Sequence, residues 1–199
     1  DVREYLRFPK TPKEEKHPLS DSEYRAIVDG LAKNPLYQSV CLALGSSGMR
    51  IGELMNVRKK DLDLSTKRIT VKIPPNTKTR TGRTTFFTKE VEEKIKKRLG
   101  KLDPDDYVFC KKSPYSGQFS FSVALRRILK KLGLDEKYQS NNYCKITPHT
   151  WRAYFFTKAA RKHGDNYAHK MTGHGGYLMQ YDRMTEEEKM DMYIELEPD

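Results

Sequence analysis

Two β-strand segments lie close together near the middle of this chain, and they are the only segments with a convincing strand pattern. They are RITVKIPP, which begins at Arg68, and RTTFFT, which begins at Arg83; each is rich in β-branched or aromatic residues. The segment NTKTRTG between them is basic and rich in turn-forming residues. The sequence therefore predicts an α+β domain that is mostly α-helical and contains one small antiparallel β-hairpin sheet.

Helical periodicity accounts for most of the remaining sequence. A first helix is predicted from Ser20, an N-cap candidate with Glu23 at the capping-box position. A second helix is predicted from about Pro35 to Leu44, and the turn GSSG separates it from a third helix in MRIGELMNV. Further helices are predicted in VEEKIKKRL, in FSVALRRILKKLG, in PHTWRAYFFTKAARKHG and in the acidic C-terminal segment.

The charge of the chain is unevenly distributed. The net charge is +11, yet residues 185–199 contain seven acidic residues and one lysine, so residues 1–184 carry 37 basic and 20 acidic residues, or +17. A domain this basic favours a polyanionic partner, and charge alone does not choose between DNA, RNA and an acidic membrane surface.

The cellular compartment is predicted from the cysteines and from hydropathy. Cys41, Cys110 and Cys144 lie far apart with no CxxC pair, which favours free thiols in a reducing cytoplasm. No segment approaches the roughly 20 apolar residues that cross a bilayer, and the N-terminal residues do not have the pattern of a signal peptide. We therefore expect a cytoplasmic protein without a membrane partner.

Four basic residues and a tyrosine are the candidate catalytic groups, and they are Arg50 in GMRIGEL, His149 and Arg152 in PHTWR, and His174 and Tyr181 in GHGGYLMQY. Two arginines and two histidines are suitable groups to surround one phosphodiester, and a tyrosine behind them can attack the phosphorus. The four basic residues also have structural alternatives. Arg50 can simply pair with Glu53 on a helix surface, His149 can pack while Arg152 is exposed, and His174 can end a helix.

These strings resemble the catalytic domain of the tyrosine recombinase (phage-type integrase) family. GMRIGELMNVRKKDLDL is similar to the first-arginine motif, and ITPHTWR is similar to the H-x-x-R box. MTGHGGY resembles the L-G-H element, although methionine and threonine replace its usual lead-in, and the following residues resemble archaeal plasmid and virus integrases.

The resemblance implies a domain organisation and a fold. Residues 18–184 would have the tyrosine recombinase catalytic-domain fold, and residues 1–17 would be an arm or linker where a DNA-clamping domain joins. Residues 185–199 would form an acidic tail helix. The resemblance implies that this helix docks on a neighbouring protomer, and docking on its own domain is the alternative.

The resemblance also assigns roles in the basic hairpin. It implies that Lys78 is a general acid and that Arg80 and Arg83 contact backbone phosphates. The alternative for Lys78 is an exposed lysine in a solvated turn.

The nucleophile is the ambiguous part of the sequence. Five tyrosines are candidates: Tyr154, Tyr167, Tyr177, Tyr181 and Tyr193. Family members commonly place the tyrosine slightly further from the histidine, at the position that Arg183 occupies here. Since the ending GHGGYLMQYDRM resembles integrases that use the later tyrosine, before an arginine, we predict Tyr181 rather than Tyr177.

The activity implied by the resemblance is site-specific recombination of double-stranded DNA through a 3′-phosphotyrosine intermediate, without metal, ATP or another cofactor. Arg50, Arg152 and His174 would stabilise the phosphate, and His149 would manage the tyrosine proton. A zinc site is disfavoured because the cysteines and histidines lack paired ligand spacing. The active assembly would be a homo-oligomer, a tetramer on paired sites, with a monomer in isolation, and it would be encoded by a prokaryote, virus or plasmid.

Three other activities compete with this interpretation. A type IB topoisomerase-like enzyme would use nearly the same groups to relax supercoils. A non-cleaving DNA-binding protein of the same fold would have to retain every catalytic side chain by chance. An RNA-binding protein would account for the charge but predicts no such arrangement of residues.

Overall fold

The computed structural model describes residues 14–75, 82–173 and 183–197. In these residues the helices are α1 (Asp21–Gly30), α2 (Pro35–Ser47), α3 (Ile51–Asn56), α4 (Lys89–Leu99), α5 (Pro114–Leu132), α6 (Pro148–His163), α7 (Asp165–Thr172) and α8 (Glu186–Ile194). The strands are β1 (Leu62–Asp63), β2 (Thr70–Ile73) and β3 (Arg83–Phe86), and a 3₁₀ turn at Lys59–Asp61 precedes β1. The predicted mostly helical α+β fold is confirmed.

The sheet has the order β1-β2-β3, and both strand pairs are antiparallel. The predicted pairing of the two strand segments is present, with Val71 opposite Thr85. The additional strand β1 places Leu62 opposite Val71, and with two residues it is too short to produce a sequence pattern. The Thr85 hydroxyl donates to the Ser47 carbonyl at 2.8 Å, so the sheet is fixed against the C-terminal end of α2.

The helix starts follow local capping chemistry, with one difference from the prediction. The Ser20 amide donates to the Glu23 carboxylate at 2.8 Å, as the capping-box prediction requires. α5 begins at Pro114, several residues earlier than FSVALRRILKKLG suggests. The preceding segment is rich in proline, serine and glycine, but Gly117 is needed for packing inside the helix. A Cβ atom at Gly117 would lie 2.6 Å from the Cys110 Cβ atom.

Two clusters of buried apolar residues form the interior, and α6 contributes to both. The larger cluster lies among α1 to α5 and β2 and includes Trp151 of α6. The smaller cluster joins β3, α6, α7 and α8 and includes Phe86, Phe155 and Tyr193. Because Trp151 and Phe155 lie about one helical turn apart, the N-terminal half of α6 is held firmly at the junction of the two clusters.

The acidic tail helix α8 packs on its own domain. Met190 and Tyr193 are buried in the smaller cluster. Just after the helix, Glu197 accepts hydrogen bonds from Arg68 Nε and Nη2 at 2.6 and 2.8 Å. The sequence left two placements open for this helix, on its own domain or on a neighbouring protomer. In the single chain it packs on its own domain, where basic residues beside the sheet bind the acidic tail.

The residues before α1 lie against the loop that follows α5. The Glu14 carboxylate accepts hydrogen bonds from the amides of Gln139 and Ser140 at 3.1 and 3.2 Å. The His17 amide donates to the Tyr138 hydroxyl at 2.7 Å. The last residues of the predicted arm are thus attached to the domain.

Two further expectations from the sequence concern the state of the cysteines and the presence of membrane-spanning helices. All three cysteines are free thiols, and Cys41 and Cys110 are buried. Among the described helices, none combines the length and the apolar character that a membrane crossing requires.

Candidate active site

The turn between α2 and α3 presents Arg50 at the edge of a cleft. Gly48 is the C-cap of α2; its φ of +63° favours glycine, and a Cβ atom there would lie 2.4 Å from Phe155 Cδ1. Arg50 is the N-cap residue of α3. Its amide donates to Glu53 Oε2 and its Nη1 donates to Glu53 Oε1, both at 2.9 Å. The ion pair between Arg50 and Glu53, which is the structural alternative considered for Arg50 in the sequence, is therefore present. It forms part of a larger group of charged side chains.

Glu53 is a carboxylate shared by two arginines. Its side chain is 6% exposed, and Arg83 donates to it through Nη2 at 2.6 Å and through Nη1 at 3.1 Å. Burial alone would raise the pKa of Glu53, but the hydrogen bonds and charge of Arg83, together with Arg50, hold the pKa below its usual value. Glu53 is therefore ionised at neutral pH and links α3 to β3.

The side chain of Arg83 is 7% exposed and connects β3 to the end of α7. Its Nε donates to the Met171 carbonyl at 3.1 Å. Gly173, with a φ of +67°, lies directly on the side chain, and a Cβ atom there would be 2.8 Å from Arg83 Cδ. Glu53 and the Met171 carbonyl thus hold the Arg83 guanidinium in place, and through Glu53 it supports the position of Arg50. The contact between Arg83 and a DNA phosphate stays a prediction.

Arg152 lies in the second turn of α6, behind the turn that carries Arg50. It is 2% exposed; Nη1 donates to the Gly48 carbonyl at 2.6 Å and Nη2 donates to the Thr172 carbonyl. Burial lowers the pKa of Arg152 to about 10, with further lowering by the charges of Arg50 and Arg83. The group therefore remains a cation at neutral pH, and it joins the α2–α3 turn to the end of α7.

His149 lies in the first turn of α6, which begins as the sequence predicts. Thr147 is the N-cap, its amide donates to the Thr150 hydroxyl at 3.0 Å, and Pro148 is the first helical residue. His149 is exposed at the cleft. Partial burial lowers the pKa of His149, and the charges of Arg152 and Arg50 lower it further, so the imidazole is neutral at pH 7.

The cleft has a volume of about 750 Å³ and is lined by residues of α3, β2, α5 and α6. Arg50 and His149 lie on its wall together with Lys72 and Gln118. Lys72 is a cation that the sequence interpretation missed. The signal was present, since Lys72 is the exposed position between buried neighbours in β2.

Three of the candidate tyrosines are excluded as nucleophiles by their surroundings. Tyr193 is fully buried, the Tyr167 hydroxyl donates to the Lys189 carbonyl at 3.2 Å, and the Tyr154 hydroxyl donates to Asp21 at 2.6 Å. Burial is the main cause that raises the pKa of each phenol. Of the five tyrosines considered, Tyr177 and Tyr181 remain.

The other predicted site residues lie outside the described residues: Lys78, Arg80, His174, Tyr177 and Tyr181. Their roles stay predictions. Across residues 14–75, 82–173 and 183–197, no group of three or more His, Cys, Asp or Glu side chains is arranged to hold a metal ion.

Comparison with known proteins places this arrangement in a family. Residues 18–181 match the phage integrase family. A probable integrase/recombinase of Aquifex aeolicus is 29% identical over 159 residues, which cover 69% of this chain and 49% of that protein. The chain thus spans about half the length of this relative.

Solved structures share the fold at lower identity. XerA recombinase is 22% identical with a TM-score of 0.64, covering 98% of this chain and 70% of that one. The integrase from mycobacterium phage Brujita is 18% identical with a TM-score of 0.66, covering 98% and 62%. The Tn1549 transposon integrase, in complex with circular intermediate DNA, is 19% identical with a TM-score of 0.61, covering 100% and 69%. The described residues therefore have the tyrosine recombinase catalytic-domain fold, and the chain belongs to the phage integrase family.

Proposed function

We propose that this chain is the catalytic region of a site-specific DNA recombinase or integrase that cleaves and rejoins DNA strands through a 3′-phosphotyrosine intermediate. One observation carries the proposal: Arg50 and His149, from two distant segments, line one cleft, and Arg152 lies behind them with its guanidinium on the Gly48 carbonyl. Family membership supports DNA as the substrate.

The charge balance around the cleft suits a phosphodiester in its transition state. Two carboxylates line the cleft, Glu53 and Asp61. They are outnumbered by the cations on or beside it, which are Arg50, Lys72, Arg83 and Arg152, so the region carries an excess of positive charge. Arg50 faces the cleft directly, and Arg152 places a second positive charge behind it, since its guanidinium donates to the Gly48 carbonyl beside the turn that carries Arg50.

In the cleavage step, the Tyr181 oxygen bonds to phosphorus and the bond between phosphorus and the 5′ oxygen breaks. His149 accepts the tyrosine proton, a role that its lowered pKa supports because the acceptor must be neutral. Lys78 donates a proton to the departing 5′ oxygen, and His174 donates a hydrogen bond to a non-bridging oxygen. Attack by a 5′ hydroxyl reverses the step, so the phosphotyrosine link removes any need for ATP.

We further propose that the enzyme acts as a tetramer on paired double-stranded sites and is a monomer when isolated. In such an assembly, the tail helix α8 would exchange its cis position for a neighbouring protomer. The free thiols of Cys41, Cys110 and Cys144 support a reducing cytoplasm as the place of action.

The test is incubation with nicked duplexes that have random sequence around the nick, followed by denaturing electrophoresis. The nick lets the cleaved fragment diffuse away, so the covalent link accumulates. We expect a protein–DNA adduct that forms equally in EDTA, is lost in Tyr181→Phe and is retained in Tyr177→Phe. Absence of an adduct would refute the activity. Loss in Tyr177→Phe alone would leave the activity standing and move the nucleophile.

A further inference from the structure

Two exposed aromatic residues lie next to each other on α5. The side chains of Tyr115 and Phe119 are 82% and 66% exposed, although large aromatic side chains are normally mostly buried. Residues four positions apart are neighbours on one face of a helix. The two rings therefore form an apolar patch at the N-terminal half of α5.

This patch borders the candidate active site. α5 packs on α3, the helix that begins at Arg50. Gln118, which precedes Phe119, lines the cleft together with Arg50 and His149, and its side chain lies against Gly52. A ligand larger than the cleft, such as a nucleic-acid duplex, would therefore meet the first turns of α5.

The charge along the same helix favours a polyanion as the occupant. None of the 19 residues of α5 is acidic. Arg126 and Lys130 are exposed and continue the face of Tyr115 and Phe119 toward the C-terminus, since they follow at helical spacing. Lys111 and Lys112, also exposed, precede the helix. An apolar pair between basic groups fits duplex DNA, in which phosphates flank a groove that displays thymine methyl groups.

We propose that Tyr115 and Phe119 contact thymine C5-methyl groups in the major groove beside the scissile phosphate and so set a preference for A·T base pairs there. This inference rests on the proposed function for its DNA substrate. An α-helix fits the major groove, and the thymine methyl is the apolar group that distinguishes T·A from the other pairs. Arg126 and the lysines before α5 would hold the backbone and fix the register of the helix.

The test compares base preferences selected from a pool of randomised duplexes by the whole chain and by Tyr115→Ser/Phe119→Ser. Tyr143→Ser is the matched control, because Tyr143 is also an exposed aromatic residue, at 72%, but lies on the loop after α5. Wild type and control should select thymine at one or two positions, and the double variant should not. Replacing those thymines by deoxyuridine should weaken wild-type binding about fourfold per contacted methyl group. It should leave the double variant unaffected.

Other outcomes would overturn the inference. An identical base preference in wild type and the double variant would show that the patch does not read DNA. A change of oligomeric state in the double variant, with an unchanged base preference, would assign the patch to a second copy of the chain. The adduct assay separates this result from the proposed function: a thymine preference without an adduct would refute catalysis alone, and an adduct without the preference would refute this inference alone.

Discussion

At the scale of single residues, Glu53 holds the cations of the cleft in one arrangement. It pairs with Arg50 at the cleft and with Arg83 inside the protein, and its side chain is almost fully buried. Removing one partner of a buried ion pair leaves the other charge uncompensated, which costs more than the loss of an exposed pair. The position of Arg50 and the stability of the fold therefore depend on the same carboxylate.

Glu53→Ala should lower the free energy of unfolding by about 3–5 kcal/mol, because Arg83 loses its buried counter-charge. The control is Glu90→Ala, which removes the partner of the exposed Arg25 and should cost about 0–1 kcal/mol. Because the folded pKa of Glu53 is lowered, its contribution is complete above its unfolded pKa of about 4.3 and is lost as the pH falls through the folded value. Urea unfolding at pH 7 and at lower pH measures both effects. Equal losses in the two variants at pH 7 would contradict the shared role of Glu53.

Arg50→Ala and Arg152→Ala should each slow strand cleavage by about 10²–10³-fold, as loss of one transition-state donor typically does. Single-turnover cleavage of the nicked duplex measures the rate. Arg25→Ala is the control, because this exposed arginine pairs with Glu90 away from the cleft. Rates within a few-fold of wild type in Arg50→Ala would remove Arg50 from the proposed mechanism.

The pH dependence of cleavage should report His149. A proton acceptor works only in its neutral form, and the pKa of His149 is lowered by partial burial and by Arg152 and Arg50. The rate should therefore begin to fall only below the ordinary histidine value of about pH 6.5. His149→Gln should reduce the rate and remove this acidic limb. If the fall in cleavage rate at acidic pH is unchanged in His149→Gln, it reflects the titration of a group other than His149.

At the scale of helices and strands, local signals in the sequence predicted most elements, and packing decided the rest. The capping box at Ser20 and the Thr147–Pro148 start of α6 depend on neighbouring residues alone, so the sequence contains them. The early start of α5 also has a local signal, the N-cap Ser113 followed by Pro114, but Gly117 in its first turns is explained only by packing, because a Cβ atom there would lie 3.0 Å from Met55 Sδ in the distant helix α3. Tertiary contacts of this kind leave no local pattern.

The tail helix α8 offers a test at this scale. Tyr193→Ala should lower the free energy of unfolding by about 3–5 kcal/mol, because a fully buried ring next to Phe86 is replaced by a cavity. Glu187→Ala, at an exposed position of the same helix, should change it by less than about 0.5 kcal/mol. Thermal or urea unfolding of the monomer gives both values. A neutral Tyr193→Ala would mean that the tail is not docked in cis in solution.

At the scale of the whole molecule, the sequence predicted the convergence of the site residues that the structure describes, but not how they are held. Arg50, His149 and Arg152 were recognisable because short motifs carry them, and the structure brings them to one cleft region. The burial of Arg83 was not predictable, since its basic hairpin resembles any exposed turn until Glu53 and Met171 surround it. The exclusion of Tyr193 likewise required the packing of α8 against the sheet.

The central claim is that this group of cations serves a tyrosine that bonds covalently to DNA. The most direct measurement is to trap the adduct on nicked duplexes, digest it with nuclease and trypsin, and locate the remaining nucleotide by mass spectrometry. Cleavage after Lys170 and Arg183 gives one peptide that contains both Tyr177 and Tyr181, and its fragment ions separate them. We predict a nucleotide joined to the Tyr181 oxygen. A nucleotide on any residue other than a tyrosine, or no modified peptide at all, would contradict the account.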